Sequence, residues 1–279
     1  MQPKQIFDLL TQEYSIILAT TENDFQIVKD IRRTVFSTKY SMSSEVLESK
    51  GYLFSQDDIQ SFIYLLRHNS TNNYIGTVRV FFINKQTPVQ QMPMQKDGNV
   101  KEIETLTQEL PICEISRLAL SNELPENENF SSLRLRTYLS LALMTATRIN
   151  FFIYHYSKIF AIMEPSLQRI LKRQGVYFEQ IGDAVDYYGL VFPFVIKKDN
   201  FLVEGEKTEE TMGKLTRYYL KQLCKNPDSF WQFIDNNPYL KRSDIQLDRI
   251  CKLFKEYGDD VDMSLLLGLE KDTAPTPTV

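Results

Sequence analysis

Apolar residues recur along this chain with two spacings. Between Glu22 and Phe36, the residues Phe25, Val28, Ile31 and Val35 return every three or four positions, which is one face of a helix. The run Tyr14 to Ala19 is short and rich in β-branched residues and predicts a strand, with a short helix before it over Gln2 to Leu10. Ser41 to Asp58 is polar and carries neither spacing, so an irregular segment is expected there. Two strands follow, Ser61 to Arg67 and Tyr74 to Ile83, and the turn formers from His68 to Asn73 between them predict an antiparallel hairpin.

A Gln- and Pro-rich loop from Asn84 to Gly98 and a short helix near Glu102 to Gln108 lead to a strand over Ile112 to Leu120. The next helix starts near Ser131, capped by Ser131 or Ser132; Tyr138, Leu139, Leu141, Ala142, Ala146 and Ile149 make it apolar enough to be mostly buried. Lys158 to Met163 is a short buried strand. Pro165 then suits the first position of a helix with Leu167, Ile170 and Leu171 inside and Gly175 closing it. Tyr177 to Ile181 and Tyr188 to Ile196 are two more strands, with a turn at Gly182 and Asp183. The order β-α-β-β-β-α-β-α-β-β argues for an α+β domain over residues 1–200, a mostly antiparallel mixed sheet flanked by helices. Residues 201–268 form a helical C-terminal extension, with patterns over Thr208 to Lys225, Asp228 to Asn236 and Ser243 to Tyr257. Ser243 and Gln246 have capping-box spacing, Gly258 follows the last helix, and the Pro/Thr-rich tail over 269–279 is expected to be disordered.

Composition narrows the class. With 43% hydrophobic and 24% charged residues in 279, the chain is of ordinary globular make-up. A net charge of −4, from 32 Lys+Arg and 36 Asp+Glu, argues against a strongly basic nucleic-acid binder. No apolar run approaches the roughly 18 to 20 residues that span a bilayer. Met1 to Thr11 lacks a basic region followed by an apolar stretch, so a cytoplasmic protein without a transmembrane segment is expected. Cys113, Cys224 and Cys251 are odd in number and lack paired metal spacing, and the histidines are His68 and His155, which argues against structural zinc and against a disulfide framework.

The stretch Cys113-Glu114-Ile115-Ser116-Arg117-Leu118-Ala119-Leu120 puts a carboxylate, a hydroxyl and a guanidinium on a core strand, where charge is rare without a reason. On a regular strand Glu114 and Ser116 face one way and Arg117 the other. Glu114 and Arg117 share a face only if a bulge intervenes. The residues alone leave both a structural ion pair and a functional site open. Cys113 is read as a buried inert thiol rather than a nucleophile.

Other motifs fall in order with that strand. Arg32-Arg33-Thr34-Val35-Phe36 ends a helix, Asp57-Asp58 precedes a strand, and Gly76-Thr77-Val78-Arg79 lies on the hairpin. This ordered set resembles the acyl-homoserine-lactone synthases and their relatives, the N-acyl amino acid synthases, within the GNAT acyltransferase superfamily. Arg32, Phe36, Asp57 (or Asp58), Arg79, Glu114, Ser116 and Arg117 match the positions of that pattern. A second block, Met163-Glu164-Pro165 through Gly175 and on to Tyr188-Gly189, is similar to acyltransferases associated with exosortase (PEP-CTERM) systems. The resemblance runs from about Phe25 to Ile196.

The resemblance implies transfer of a long-chain fatty acyl group from an acyl-carrier-protein or coenzyme A thioester to the amine of an amino-acid-like acceptor. No metal and no permanently bound cofactor is implied. An amine attacks a thioester only when neutral, so a base is needed; Glu114 is the candidate, with Ser116 and Arg117 beside it as catalytic residues. Arg79 or Arg117 would bind the acceptor's carboxylate bidentately, and the other arginine and Asp57 would order the Arg32 region over the pocket. Arg32, Phe36, Asp57 and Arg79 are the substrate-binding set; a surface ion pair of Arg32 and Asp57 fastening the N-terminal lid is the alternative. The usual GNAT coenzyme A loop is absent, since Asn129 to Tyr138 contains no glycine. A carrier protein's phosphopantetheine presents one phosphodiester, which a helix N-terminus with Ser131 and Arg134 or Arg136 can hold. Acyl carrier protein is therefore the expected donor and partner, docking on the helix of Arg169, Lys172 and Arg173, and the lipid product gives a reason for peripheral membrane contact. The tyrosine that often serves as general acid is missing from Ser166 to Gln174; Ser166, Tyr154 and Tyr156 are substitutes, and the acid is unassigned. Tyr187, Tyr188, Phe81, Phe151 and Phe192 either line an acyl tunnel or belong to the core. Two rival readings stand beside this one. A lactone autoinducer synthase is disfavoured because Trp231, the only Trp, lies in the C-terminal helices rather than in an N-terminal lid. The other is a non-catalytic acyl-binding protein on the same fold.

Overall fold

The computed structural model describes residues 3–87, 91–96, 100, 110–127, 130–173, 176–187, 189–197 and 212–267. The chain opens with helix α1 (Pro3–Gln12), strand β1 (Tyr14–Leu18) and helix α2 (Glu22–Tyr40). A capping box starts α2: the Asp24 N–H donates to Thr21 Oγ1 (3.1 Å) and the Thr21 N–H to Asp24 Oδ2 (3.0 Å). The helix runs one turn beyond the Phe36 end expected from its apolar stripe, to a left-handed Ser41, and so brings Lys39 and Tyr40 into the fold.

The segment expected to be irregular, Ser41 to Asp58, instead holds two short helices, α3 (Ser44–Ser49) and α4 (Gln56–Ile59). Side-chain caps from Ser43 and from the Ser55–Asp58 box start them, and neither is long enough to display a helical period. Strands β2 (Ser61–His68) and β3 (Tyr74–Ile83) form the expected antiparallel hairpin. Then come α5 (Pro93–Lys96), β4 (Ile112–Leu120), α6 (Ser132–Tyr154), β5 (Lys158–Met163) and α7 (Pro165–Arg173). The expected helix near Glu102 to Gln108, Gly175 and the 269–279 tail lie outside the described residues. The expected strand Tyr177 to Ile181 shrinks to β6 (Glu179–Gln180), a two-residue β7 (Val185–Asp186) appears after it, and β8 (Leu190–Lys197) follows.

The strands lie in the order β1-β2-β3-β4-β5-β8-β6, with β7 also on β8, and only β4 and β5 pair in parallel. Strand β2 is buried on both faces, and its alternation sorts two cores. Phe62, Tyr64 and Leu66 point to the side of α1 and α6, whereas Ile63 and Leu65 point to α2. Gly76 of the Gly-x-x-Arg motif marks a close approach: a Cβ there would stand 3.0 Å from side-chain atoms of both Leu120 and Leu143.

The C-terminal helices are α8 (Met212–Lys225), α9 (Asp228–Asn236), α10 (Leu247–Tyr257) and α11 (Met263–Leu266). They pack on the α6 side, where Leu215, Tyr219, Phe230 and Ile250 join the larger core and the Phe230 ring stacks on Phe62 (6.2 Å). The expected capping box of Ser243 and Gln246 does not form. Ile245 is extended and its side chain is buried, the Gln246 N–H donates to Ile153 O (2.9 Å), and the helix starts at Leu247. The reading of the cysteines as forming no disulfide framework needs a correction for one pair: Cys224 and Cys251 are bonded, with Cα atoms 5.2 Å apart. Helices α8 and α10 pack against each other, a proximity that a separation of 27 residues does not reveal. Among the described residues no helix is long and apolar enough to cross a membrane.

Candidate active site

Strands β4 and β5 pair only from Ile112–Lys158 to Ile115–Ala161. Beyond that point they part. The opening is a cavity of about 220 Å³ lined on one side by Ile115 to Leu118 and on the other by Ala161 to Glu164. Phe36, Lys39 and Tyr40 of α2, Met144 of α6 and Leu167 and Leu171 of α7 complete much of the wall.

The bulge needed to bring Glu114 and Arg117 to one face is present. Arg79 pairs with Ser116 and Thr77 with Ala119, so Arg117 and Leu118 together oppose Val78. Arg117 takes a left-handed conformation (φ 54°), uncommon for a residue with a side chain, and thereby lines the same cavity as Glu114, Ser116 and Arg79. Its guanidinium lies over the Tyr52 ring, 4.6 Å from the centroid.

Glu114 is 1% exposed, and its Oε2 accepts the Met94 N–H (2.8 Å). Burial pushes its carboxyl up to about 7; Arg79, the Met94 N–H and Arg117 pull the other way, and Asp57 adds to the rise. Arg79 Nε donates to Ser116 Oγ (3.0 Å), and its Nη1 lies 3.6 Å from Asp58 Oδ2. Arg32 is fully buried and donates from Nη1 to Asp58 Oδ1 (2.8 Å) and to Leu53 O (2.9 Å). Burial would raise the Asp58 carboxyl, but Arg32 and Arg79 outweigh it and hold it below its ordinary value. Burial also lowers the Arg32 guanidinium to about 10.

Of the two acidic positions left open by the motif, Asp58 joins the arginine network, while Asp57 pairs with Lys96 (3.3 Å). Arg32 stands behind the cavity wall, holding Asp58 rather than lining the space, whereas Phe36 lines it. Ser131 caps α6 without a side-chain hydrogen bond, and Arg134 is exposed. Arg136 donates to Leu120 O (3.2 Å) and Ser121 O (2.8 Å), pinning α6 to the end of β4. None of these three lines the cavity. Arg169, Lys172 and Arg173 are exposed on α7. Tyr187 lines the cavity; Phe81 and Phe151 are core, Phe192 packs on the core, and Tyr188 lies outside the described residues. Cys113, one residue from Glu114 and so on the other face of the sheet, is buried in the larger core, and burial holds its thiol well above its ordinary value. Sequence reasoning missed Lys39 and Met94, and it gave Glu164, part of the second block, no role in the site. The first lies past the recognised helix end, the second acts through its backbone, and the third closes the space by pairing with Lys39 (2.7 Å).

A sequence model of autoinducer synthases matches residues 18–188. The chain belongs to the autoinducer synthase family. This synthase is an N-acyltransferase, and the mostly antiparallel mixed sheet flanked by helices expected from its sequence is the one observed. It is similar to FeeM, an N-acyl amino acid synthase from uncultured soil microbes, at 13% identity and a TM-score of 0.48, covering 70% of this chain and 96% of that one. It is also similar to the acyl-homoserine-lactone synthase LasI, at 14% identity and a TM-score of 0.41, covering 66% and 89%. For the aminoglycoside acetyltransferase AAC(6')-Ib in complex with coenzyme A, the figures are 15%, 0.38, 68% and 98%. No curated protein matches the sequence.

Proposed function

We propose that the synthase moves a long-chain fatty acyl group from a thioester, on acyl carrier protein rather than free coenzyme A, to the amine of an amino-acid-like acceptor. The observation that carries this reading is Glu114: a buried carboxyl at about 7, facing a cavity between two parting strands and beside Arg117. A base with that affinity takes a proton from the acceptor's ammonium near neutrality. The freed nitrogen attacks the thioester carbonyl carbon, the N–C bond forms, the C–S bond breaks, and the proton that the acylated nitrogen loses goes to the sulfur, which leaves as a thiol. Three guanidiniums, Arg32, Arg79 and Arg117, interact electrostatically with Asp58 and hold its carboxyl below its ordinary value. That excess of positive charge, with Arg79 and Arg117 in the cavity wall, suits an acceptor bearing a carboxylate.

Carrier protein as donor is supported by the glycine-free 129–138 segment and by the exposed basic face of α7, whose inner residues Leu167 and Leu171 line the cavity. The family match favours one second reading, a homoserine-lactone product. Mass spectrometry of organic extracts from cells expressing the wild type or Glu114→Gln separates the two. A set of acyl amino acids that disappears with Glu114→Gln supports the proposal, acyl lactones support the second reading, and the same products from both proteins remove Glu114 as the base.

A further inference from the structure

In the excursion between β3 and β4, Pro93 and Met94 of α5 line the same cavity as Glu114, and Asn84, at the start of that excursion, does not. At the end of β3, the Asn84 side chain uses all of its hydrogen-bonding capacity. Its Oδ1 accepts the N–H groups of Gln86 (2.9 Å) and Thr87 (3.0 Å), which starts the excursion as a tight turn. Its Nδ2 donates to Tyr154 Oη (2.6 Å), at the end of α6, and to the carbonyl of Tyr239 (2.9 Å), between α9 and the 3-10 turn at Arg242–Asp244. The amide has one orientation, because the Tyr239 carbonyl can only accept and the two backbone N–H groups can only donate. Asn84 is 5% exposed, so none of these partners is replaced by solvent.

At its far side the excursion forms the single turn of α5. The Gln95 and Lys96 N–H groups donate to Met92 O (2.9 and 3.1 Å), and the Met92 N–H donates to Gln95 Oε1 (2.9 Å). Met92, Met94 and Val100 are buried against Phe81, Ile112 and Phe160, and this packing presents the Met94 N–H to Glu114 Oε2 at 2.8 Å.

We infer that Asn84 is a positioning residue for the acyl-transfer reaction: it ties the C-terminal helical segment to the start of the chain that leads into α5, whose Met94 N–H holds one oxygen of Glu114. The C-terminal helices thus have a role in the active site without touching substrate. The chemical role of Glu114 rests on the reading above, but its burial does not, so the test reads the carboxyl directly.

The side-chain carboxyl of Glu114 is followed by ¹³C NMR of protein labelled at glutamate, its resonance assigned by its absence in Glu114→Gln. The charged groups acting on it are Arg79 from β3, Arg117 from β4 and Asp57 from α4, all left in place. In the wild type the midpoint is expected at about 7. Burial is the dominant cause of that value, so a loosened α5 that admits water moves it downward, against the smaller opposite effect of losing the Met94 N–H. Asn84→Ala removes both donated bonds and the acceptor of both turn bonds without adding a charge; its midpoint is expected to fall by about one pH unit or more. Tyr154→Phe, which removes one acceptor, is expected to move it the same way by less. Folding is checked by circular dichroism, and if Asn84→Ala does not fold, Tyr154→Phe decides alone. A folded variant whose Glu114 midpoint is unchanged or raised overturns the inference. Loss of turnover in Glu114→Gln is scored separately, so failure of the base assignment is distinguished from failure of the Asn84 link.

Discussion

Glu114 and Arg117 line one cavity although an odd number of positions separates them on β4, because the strand is bulged between Ser116 and Ala119. The left-handed backbone at Arg117 is the conformational cost of that arrangement, on the order of 1 kcal/mol for a residue with a Cβ. Glycine removes the cost and also removes the stacking on Tyr52, which is of similar size. Arg117→Gly is therefore expected to match the wild type in urea denaturation to within about 1 kcal/mol. Its kcat/KM should drop roughly 10- to 100-fold through the lost charged contact. A large loss of stability would contradict this balance.

The raised Glu114 carboxyl sets a pH signature. A base must be unprotonated, so kcat/KM is expected to climb with pH through a midpoint at about 7, and Glu114→Gln should abolish that limb and cut turnover by roughly 100-fold or more. Rates measured from pH 5.5 to 8.5 check both.

The same carboxyl ties stability to pH with a defined sign. The native state holds this proton more tightly than the unfolded chain, so the stability it contributes is fully present below the ordinary value of 4.5 and is lost as pH rises through about 7. Glu114→Gln should then be more stable than the wild type at pH 8, by on the order of 3 kcal/mol, and equal to it at pH 4. Denaturation curves at the two pH values test the crossing.

Asp57 and Asp58 are neighbours with different duties. Asp58 Oδ1 faces Arg32 with both side chains fully buried, whereas Asp57 pairs with a half-exposed Lys96. Asp58→Asn leaves two buried guanidiniums without a counter-charge and is expected to cost about 3 to 5 kcal/mol. Asp57→Asn should cost less than about 1 kcal/mol. Equal losses in chemical denaturation would refute the assignment of Asp58 as the network's carboxylate.

The Cys224–Cys251 bond closes a loop of 27 residues between α8 and α10. Reduction, or Cys224→Ser, is expected to lower stability by about 3 kcal/mol. Neither cysteine lines the cavity, so turnover measured well below the melting range should be unchanged. Intact mass before and after alkylation reports the bond.

Most of the sheet and the long helices were legible in the sequence, because their apolar periods are long enough to register; α9 over Asp228–Asn236 and β5 over Lys158–Met163 fall where their patterns put them. Elements set by one or two side-chain caps were not. Helices α3 and α4 rest on Ser43 and on the Ser55–Asp58 pair, and the start of α10 was misread because Ile245 is drawn into the core. The chemistry of β4 was legible as a set of residue types, and so was the condition that only a bulge unites Glu114 with Arg117.

The sequence by itself determined the residue types of the site, their order along the chain and the alternation that sends Glu114 to one face of the sheet and Cys113 to the other. Those properties are local, carried by period and composition. Only the tertiary structure decided that Asp58 rather than Asp57 faces the arginines, that Lys39 meets Glu164, that Cys224 reaches Cys251, and that a backbone N–H of Met94 holds Glu114. Each of those contacts joins distant parts of the chain or depends on which way a backbone group turns. Such pairings are set by how the elements pack, and a linear pattern does not encode them.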